Sequence, residues 1–290
     1  MRALWIAPPD TISGHQEHLV NEGLIAQRLD TSIFRATPAV AALGVEGDLD
    51  HLMALTTGQF VDLLPIPQGF DLKLAVFDMD STLIQHEVID ELATALGIGA
   101  EVAAITERAM QGQLDFVESF TARLGLLRGL SEARLQPIYD SLRLMPGAES
   151  LMRNLADAGV YRAICSGGFS FFADQLGQRL GVDAVHSNQL QCTDGMLTGV
   201  VVPPIVDGAY KANFLNTSQH RFGLSRSHVM AVGDGANDIP MLQAASAGVA
   251  FRAKPAVRDA APLRLDHADL SALSYLVHPW LARDGESSKV

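Results

Sequence analysis

The chain has 290 residues, of which 48% are hydrophobic and 19% are charged, so it can bury a sizeable core. Its formal net charge of -12 argues against nucleic acid as a partner, because that binding depends on clustered Lys and Arg. Two cysteines are too few for a disulfide framework, and the sequence has neither a signal-peptide run nor about 18 consecutive apolar residues, which predicts a cytoplasmic protein without a membrane span.

Residues 1–72 are predicted to form a small α+β unit. Its elements are a strand at Leu4–Ile6, a helix at His15–Gln27, a strand at Ser32–Arg35 and an apolar segment at Phe60–Leu64. Pro65, Pro67 and Gly69 follow this unit and mark a linker. No motif in these residues indicates a reaction.

A short apolar run at residues 73–77 is typical of a buried parallel strand. The residues that follow are predicted to be helical, from apolar spacing over Glu87–Leu96, Glu101–Met110, Phe116–Leu127 and Ser131–Ser141. We therefore expect residues 85–145 to form a helical cap inserted just after the first strand of the main domain.

Strands and helices alternate after the cap, which predicts an α/β fold with a doubly wound parallel sheet. The predicted strands are Val160–Cys165, His228–Val232 and Ala247–Phe251, with a hairpin at Leu190–Cys192 and Met196–Val202. The predicted helices are Ala148–Ala158, Phe171–Leu180, Tyr210–Phe222 and Ile239–Ala245. Residues 73–84 and 146–290 should form the catalytic core.

Acidic residues follow two of the predicted strands. Asp78 and Asp80 come directly after residues 73–77, and the run 233–238 with Asp234 and Asp238 follows the strand that ends at Val232. Asp-rich turns also cap helices, but ligands of open α/β sheets bind at the carboxyl ends of strands. Two such groups together predict one site for a hard cation such as Mg²⁺, which takes oxygen ligands.

Other motifs are excluded by their spacing. The run 233–238 has an acid where the dinucleotide fingerprint requires its third glycine. Ser166 lacks the glycine two residues earlier that a hydrolase elbow requires, and no Walker A sequence is present.

The segment Asp78-Met79-Asp80-Ser81-Thr82 resembles the DxDxT signature of the haloacid dehalogenase superfamily. Ser166 after a second strand, Lys211, and the segment Gly233-Asp234-Gly235-Ala236-Asn237-Asp238 occur in the order of the other three motifs of that superfamily. The resemblance covers roughly residues 73–250. It implies a phosphatase that works through a phospho-aspartate intermediate.

The resemblance assigns a role to each motif residue. It implies that Asp78 is the nucleophile, that Asp80 is the general acid and base, and that Lys211 supplies positive charge. Mg²⁺ would be bound by Asp78, the backbone carbonyl of Asp80 and Asp234, with Asp238 orienting its waters or Lys211. The phosphate would be bound by Ser166 and the N–H groups of Gly167 and Gly168, and Asn237 would hydrogen-bond the phosphate or Lys211.

The cap must select the substrate, since catalytic motifs do not. Residues 80–87 and 110–116, together with Arg123, resemble the specificity segments of phosphoserine phosphatases. Carried over, Glu87 accepts from the substrate ammonium, Arg123 binds its carboxylate, Phe116 covers its aliphatic part and Met110 lines the same pocket. The implied reaction is hydrolysis of phosphoserine, the last step of serine biosynthesis.

Two alternatives remain open at this point. The same residues are compatible with another small phosphate ester, or with phosphoryl transfer to an acceptor hydroxyl. Residues 1–72 resemble ACT-type amino-acid-binding domains, so they are either a ligand-sensing unit or an element that forms a homodimer.

Overall fold

The computed structural model describes residues 1–282, apart from the side chains of Met110 and Ala282. Strands β1 to β11 are, in chain order, Arg2–Ala7, Ile25–Arg28, Ala41–Glu46, Asp62–Pro65, Leu74–Phe77, Tyr161–Phe169, Ala184–Thr193, Met196–Val202, Val229–Gly233, Ala247–Phe251 and Leu263–Leu265.

Helices α1 to α11 are Ile12–Asn21, Leu49–Leu55, Val88–Leu96, Gly99–Met110, Phe116–Leu126, Leu135–Ser141, Ala148–Asp157, Ser170–Leu180, Gly208–Arg221, Ile239–Ala244 and Pro255–Ala260. Short 3-10 segments lie at Glu132–Arg134, Arg226–His228, Ala236–Asp238, Leu270–Val277 and Pro279–Ala282. Within this described part of the chain, no helix combines the length and the apolar character needed to cross a membrane.

The main sheet has β5 at its centre. Its strand order is β11-β10-β9-β5-β6-β7-β8, and every neighbouring pair is parallel except β7 with β8. Alternate side chains of β5 enter hydrophobic clusters on opposite faces of the sheet, and all four of its residues are buried. This two-sided burial explains the unbroken apolar run, and the predicted doubly wound α/β fold is confirmed.

A second sheet is formed by the first four strands, all antiparallel, in the order β2-β3-β1-β4. With α1 and α2 the element order is β-α-β-β-α-β, the split βαβ arrangement of ferredoxin-like folds. Whether this unit binds an amino acid, as ACT-type domains do, stays a prediction.

Two predictions within residues 1–72 are wrong. The predicted helix His15–Gln27 is displaced, because α1 spans Ile12–Asn21, Gly23 follows with φ +78°, and residues 25–28 form the edge strand β2. The predicted strand at Ser32–Arg35 is a turn, since Phe34 instead packs edge-to-face on Tyr275 with ring centroids 5.5 Å apart. The next strand of the chain is β3, which the sequence did not predict because its alanine and glycine residues have weak strand preference.

The helices α3 to α6 connect to the main domain through a two-stranded stem. Met145 N–H donates to the Leu83 carbonyl at 2.8 Å, and Gln85 N–H donates to the Arg143 carbonyl at 2.9 Å. The chain therefore leaves and re-enters the core at neighbouring residues. Leu197 of the β7–β8 hairpin makes a second attachment, because its N–H and C=O bond Leu130 and Gly129 at 2.8 Å each.

The N-terminal sheet packs against the C-terminal part of the chain. Asp62 of β4 is buried, and its carboxylate accepts backbone N–H groups of Asp266, His267 and Ala268 at 2.7–3.2 Å. Residues of both regions share the larger hydrophobic cluster. The two sheets are therefore joined by buried apolar and polar contacts.

Candidate active site

Three carboxylates meet at the carboxyl edge of the main sheet. Asp78 follows β5 and Asp234 follows β9, and these parallel strands pair Phe77 with Val232. Oxygen atoms of Asp78, Asp234 and Asp238 lie within 4.8 Å of one another. The sequence predicted that these two acidic loops would come together, and the strand register does bring them together.

Lys211 is fully buried beneath this cluster. It lies one turn into α9, a helix capped by the Asp207 carboxylate, which accepts the Tyr210 N–H at 2.8 Å. Its Nζ lies 2.8 Å from Asp78 and 2.7 Å from Asp238. Burial alone would lower the pKa of Lys211, but the charges and hydrogen bonds of both carboxylates outweigh it and raise that pKa.

Asp238 uses both of its oxygens on protein donors. One accepts from Lys211 Nζ, and the other accepts the backbone N–H groups of Asp234 and Gly235 at 3.1 and 3.0 Å. Burial and the nearby Asp78 raise the pKa of Asp238 to about 6, while the Lys211 charge acts in the opposite direction. These bonds fit the predicted orienting role better than direct metal binding.

Asp234 is partly buried and accepts a hydrogen bond from Thr82 Oγ1 at 3.3 Å. Burial, with the charges of Asp78, Asp238 and Glu87, raises the pKa of Asp234 to about 8. The charge of Lys254 opposes this change only in part, and Lys211 is the cation bonded to the cluster of three carboxylates. Asp78 and Asp234 therefore fit a hard divalent cation, for which carboxylate oxygens are suitable ligands.

Asp80 lies beside this cluster and next to the glycine loop. Its Oδ1 accepts the Val88 N–H at 3.2 Å, and a Cβ placed on Gly168 would lie 2.7 Å from its Oδ2. Burial, then the charges of Glu87 and Asp78, raise the pKa of Asp80 well above its ordinary value. The side chain is thus suited to hold a proton more tightly than an ordinary aspartate does.

Ser166, Gly167 and Gly168 lie in the last part of β6, which runs on past the predicted strand end at Cys165. The pairing with β7 is irregular between Cys165 and Phe169, and the Gly168 N–H donates to Ser166 Oγ at 2.9 Å. A Cβ on Gly167 would lie 3.1 Å from the Phe116 ring. Phe116 of the cap therefore lies directly over the predicted phosphate loop.

The site opens into a cleft of about 890 Å³ between the sheet edge and the cap helices. Predicted residues that line it are Asp78, Asp80, Glu87, Phe116, Arg123, Gly167, Gly168, Asp234 and Asn237. Ser166, Lys211 and Asp238 are buried behind its wall. Met110 ends α4, but its side chain lies outside the described residues.

Glu87 and Arg123 face this cleft from the cap side. Glu87 is exposed and accepts from Ser81 Oγ at 2.7 Å. Partial desolvation in the cleft and the charge of Asp78 raise its pKa, while the hydrogen bond from Ser81 acts in the opposite direction. Arg123 is partly buried, and its Nε donates to the Ser119 carbonyl at 3.3 Å. Burial lowers the pKa of Arg123, while Glu87 and Asp90 oppose that change.

Sequence reasoning assigned no role to four residues that the fold brings to the site. Asp90 and Lys254 line the cleft, and Thr82 bonds Asp234. Asn188 is buried, donates to the Gly167 carbonyl and accepts the Val206 N–H, both at 2.8 Å, and so fixes the glycine loop. Thr82 was visible as part of the first motif, whereas the other three carry no local signal.

Comparisons with known proteins agree with this geometry. A family model described as haloacid dehalogenase-like hydrolase matches residues 72–246. A phosphoserine phosphatase of Haemophilus influenzae is 46% identical over 204 residues, which are 70% of this chain and 65% of that protein. The chain spans 50–65% of the length of the first three curated relatives.

Solved structures give the same result. A haloacid dehalogenase family hydrolase from Salmonella enterica serovar Typhi superposes with a TM-score of 0.86 at 31% identity, covering 96% of this chain and 99% of that one. A phospho-aspartyl intermediate analogue of a phosphoserine phosphatase superposes with a TM-score of 0.65 at 35% identity, covering 70% and 97%. The family match spans the strands and loops that bring Asp78, Ser166, Lys211 and Asp234 together, so the chain belongs to the haloacid dehalogenase-like hydrolases.

Proposed function

We propose that this protein hydrolyses O-phosphoserine to serine and phosphate through a phospho-aspartate on Asp78. The observation that carries the proposal is the cleft itself. At its floor Asp78 is ion-paired with buried Lys211, and on its cap side Glu87 and Arg123 present one negative and one positive charge. Phosphoserine has complementary groups, a phosphate at one end and an ammonium and a carboxylate at the other.

In the first step an Asp78 carboxylate oxygen forms a bond to phosphorus, while the bond from phosphorus to the serine oxygen breaks. Protonated Asp80 gives its proton to the departing oxygen, so serine leaves as an alcohol. The raised pKa of Asp80 favours its protonated form, which this step requires. Lys211, held at 2.8 Å from Asp78, reduces the repulsion between the two anions.

In the second step water attacks the phosphorus of the acyl phosphate. Asp80, now ionised, takes a proton from that water, and the bond between phosphorus and Asp78 breaks. Inorganic phosphate leaves and both aspartates return to their starting states. The N–H groups of Gly167 and Gly168 and the hydroxyl of Ser166 would hold the phosphate oxygens in both steps.

We propose Mg²⁺ as the cation at Asp78 and Asp234, with the Asp80 carbonyl as a further ligand. The crowded carboxylates and the raised pKa of Asp234 support this choice. When bound, the ion would neutralise charge that develops on the transferred phosphoryl group. Asp238, whose oxygens are occupied by Lys211 and backbone amides, would keep both loops in place.

We also propose that residues 1–72 form one domain, residues 73–84 with 146–290 the catalytic core, and residues 85–145 the cap. Separate sheets support the first boundary, and the stem at Leu83 and Met145 supports the others. A cytoplasmic location, a homodimer and a place in serine biosynthesis stay predictions.

The proposal is tested by phosphate release from phosphoserine, phosphothreonine and phosphoglycolate, each with Mg²⁺ and with excess chelator. We expect phosphoserine to have the highest kcat/KM and activity to require the metal. The variant Asp78→Asn serves as the inactive control. Preference for another ester would reject phosphoserine as the substrate and leave the phosphatase chemistry standing.

Recognition of the carboxylate is tested with Arg123→Ala. We expect KM for phosphoserine to rise about 100-fold, because a charge-assisted hydrogen-bond pair is lost, whereas KM for p-nitrophenyl phosphate changes little. Arg153→Ala is the matched control, since Arg153 lies on α7 and pairs with exposed Glu149. Equal losses on both substrates would contradict the assigned role.

A further inference from the structure

The cleft has an unfavourable charge for the substrate it is proposed to bind. Five carboxyl groups line it, from Asp78, Asp80, Glu87, Asp90 and Asp234. With a proton on Asp80 and Mg²⁺ at Asp78 and Asp234, the negative charges of Glu87 and Asp90 would still face the cleft from its cap side. The chain as a whole carries a net charge of -12. A phosphate ester approaching this cleft is an anion, so the acidic walls and the overall field repel it.

Two of the nearby cations are not placed to attract an anion from solvent. Lys211 is completely buried and is bonded to two carboxylates. Arg123 is partly buried, and the carboxylates of Glu87 and Asp90 already act on it. Both side chains belong to the interior of the site.

Lys254 differs from these two in position and exposure. It lines the cleft, is exposed to solvent, and forms no salt bridge with any residue in the described part of the chain. Its backbone N–H lies 3.4 Å from the Asp234 carbonyl, and Pro255 directly after it begins α11. The base of the side chain is therefore fixed at the rim beside the metal loop.

The charge of Lys254 also acts on carboxyl groups at both ends of the cleft. Its charge lowers the pKa of Asp234 at the floor and that of Glu87 on the cap side, against the larger opposite effect of burial. One exposed ammonium group thus acts on two of the cleft carboxylates without being paired to either.

We propose that Lys254 is the attracting charge of the cleft mouth, which draws the phosphate dianion inward and offsets the acidic rim without taking part in bond making or breaking. The choice of phosphoserine as ligand rests on the function proposed above. A single charge at such a rim raises the local concentration of a dianion and hence kcat/KM, and the effect disappears when salt screens it.

The test compares Lys254→Gln with Lys73→Gln in the full chain. Lys73 is exposed, pairs with Asp71, and precedes β5, so its Cα lies about 16 Å from that of Asp78 at the opposite end of the strand. Both variants change the net charge by the same amount. Only the position of the lost charge differs.

We expect Lys254→Gln to lower kcat/KM for phosphoserine about threefold to tenfold at about 10 mM ionic strength, and to approach wild type near 1 M, where the Debye length is about 3 Å. The turnover number kcat should be unchanged. The inhibition constant of inorganic phosphate should rise by a similar factor at low salt. Lys73→Gln should match wild type in all three measurements.

The proposal is overturned if the two variants behave alike at low salt, if the loss persists unchanged near 1 M salt, or if it falls on kcat. Its failure is separable from that of the proposed function. If wild type does not hydrolyse phosphoserine, the proposed substrate is wrong, and the comparison of Lys254 with Lys73 is made with p-nitrophenyl phosphate, which is also a dianion.

Discussion

At the scale of single residues, the site depends on how Lys211 is held. Its Nζ bonds Asp78 at 2.8 Å and Asp238 at 2.7 Å in a fully buried position. Removing one partner of a buried charge pair leaves the other uncompensated, which is strongly destabilising. Asp238 therefore acts on Asp78 indirectly, because it holds the Lys211 ammonium group in place beside the Asp78 carboxylate.

The pKa of Asp234 predicts how the metal-free protein responds to pH. A free aspartate has a pKa of about 4, whereas that of Asp234 is about 8 in the fold. Between these values the native chain keeps a proton that the unfolded chain has lost, so the free energy of unfolding should fall as pH rises. Urea unfolding in excess chelator at several pH values between 5 and 8 measures this slope.

The control for this slope is Asp234→Asn, which cannot titrate. We expect the variant to lose less stability with rising pH than wild type does. Added Mg²⁺ should stabilise wild type most at the upper end of the range, where the unpaired carboxylate is most costly. Identical slopes in the two proteins would contradict the assignment of this pKa.

Some site residues were predictable from the sequence and others were not. Asp78, Asp80 and Asp234 follow predicted parallel strands, so their proximity was expected from the topology. The roles of Ser166 and Lys211 were predicted from the resemblance to a known family. Asp90, Asn188 and Lys254 are single residues whose relation to the cleft arises only when distant elements pack together. No spacing along the chain encodes that relation.

At the scale of secondary-structure elements, Asp62 links the two sheets. Its carboxylate accepts three consecutive backbone N–H groups that follow β11, and the residue itself belongs to β4 of the N-terminal sheet. These amides have no strand partner at this point of the chain. The Asp62 carboxylate thus supplies hydrogen-bond acceptors for the backbone N–H groups that follow β11.

We expect Asp62→Ala to lower the free energy of unfolding by about 3 kcal/mol, because it leaves the buried Ala268 N–H and two partly buried N–H groups without an acceptor. Asp10→Ala is the control, since Asp10 is exposed and lies in the same domain. The control should stay within about 0.5 kcal/mol of wild type in urea unfolding. If both substitutions changed the free energy of unfolding by a similarly small amount, the hydrogen bonds of Asp62 would contribute little to stability.

Elements of the main sheet were easier to predict than those of the N-terminal sheet. β5 and β10 are buried on both faces, so each appears as a continuous apolar run, and β10 has the predicted bounds Ala247–Phe251. β2 is an exposed edge strand, and β3 contains Gly44 beneath the ring of Trp280. β3 thus packs against a residue more than 200 positions away, and its local sequence does not indicate that contact.

At the scale of the whole molecule, the beginning and end of the described chain are bound together. Arg2 of β1 donates to the carbonyls of Trp280 and Leu281 at 2.9 and 2.8 Å. Its guanidinium also lies 4.7 Å from the centroid of the Trp280 ring, within cation–π range. The N-terminal sheet is thus fixed directly against the end of the described chain.

Trp280→Ala tests this arrangement. Trp280 is 6% exposed, so truncation should cost about 3–5 kcal/mol of unfolding free energy through a large cavity. Ile25→Ala is the control, because Ile25 is 64% exposed on β2 and should change stability little. The kcat of the folded variant should remain near wild type, since Trp280 does not line the cleft; a selective loss of kcat would contradict this separation.

The stem at Leu83 and Met145 has a consequence for how selectivity can change. The chain leaves and re-enters the core through two residues joined by a backbone hydrogen bond, so the intervening stretch is an insertion with a second contact at the β7–β8 hairpin. We expect substitutions on its cleft side to leave in place the strands that precede Asp78 and Asp234, because neither strand belongs to this stretch. Under the proposed function, cleavage of the phosphorus–oxygen bond is assigned to the edge of the main sheet, and preference for the organic part of an ester is assigned to the stretch between the two stem residues.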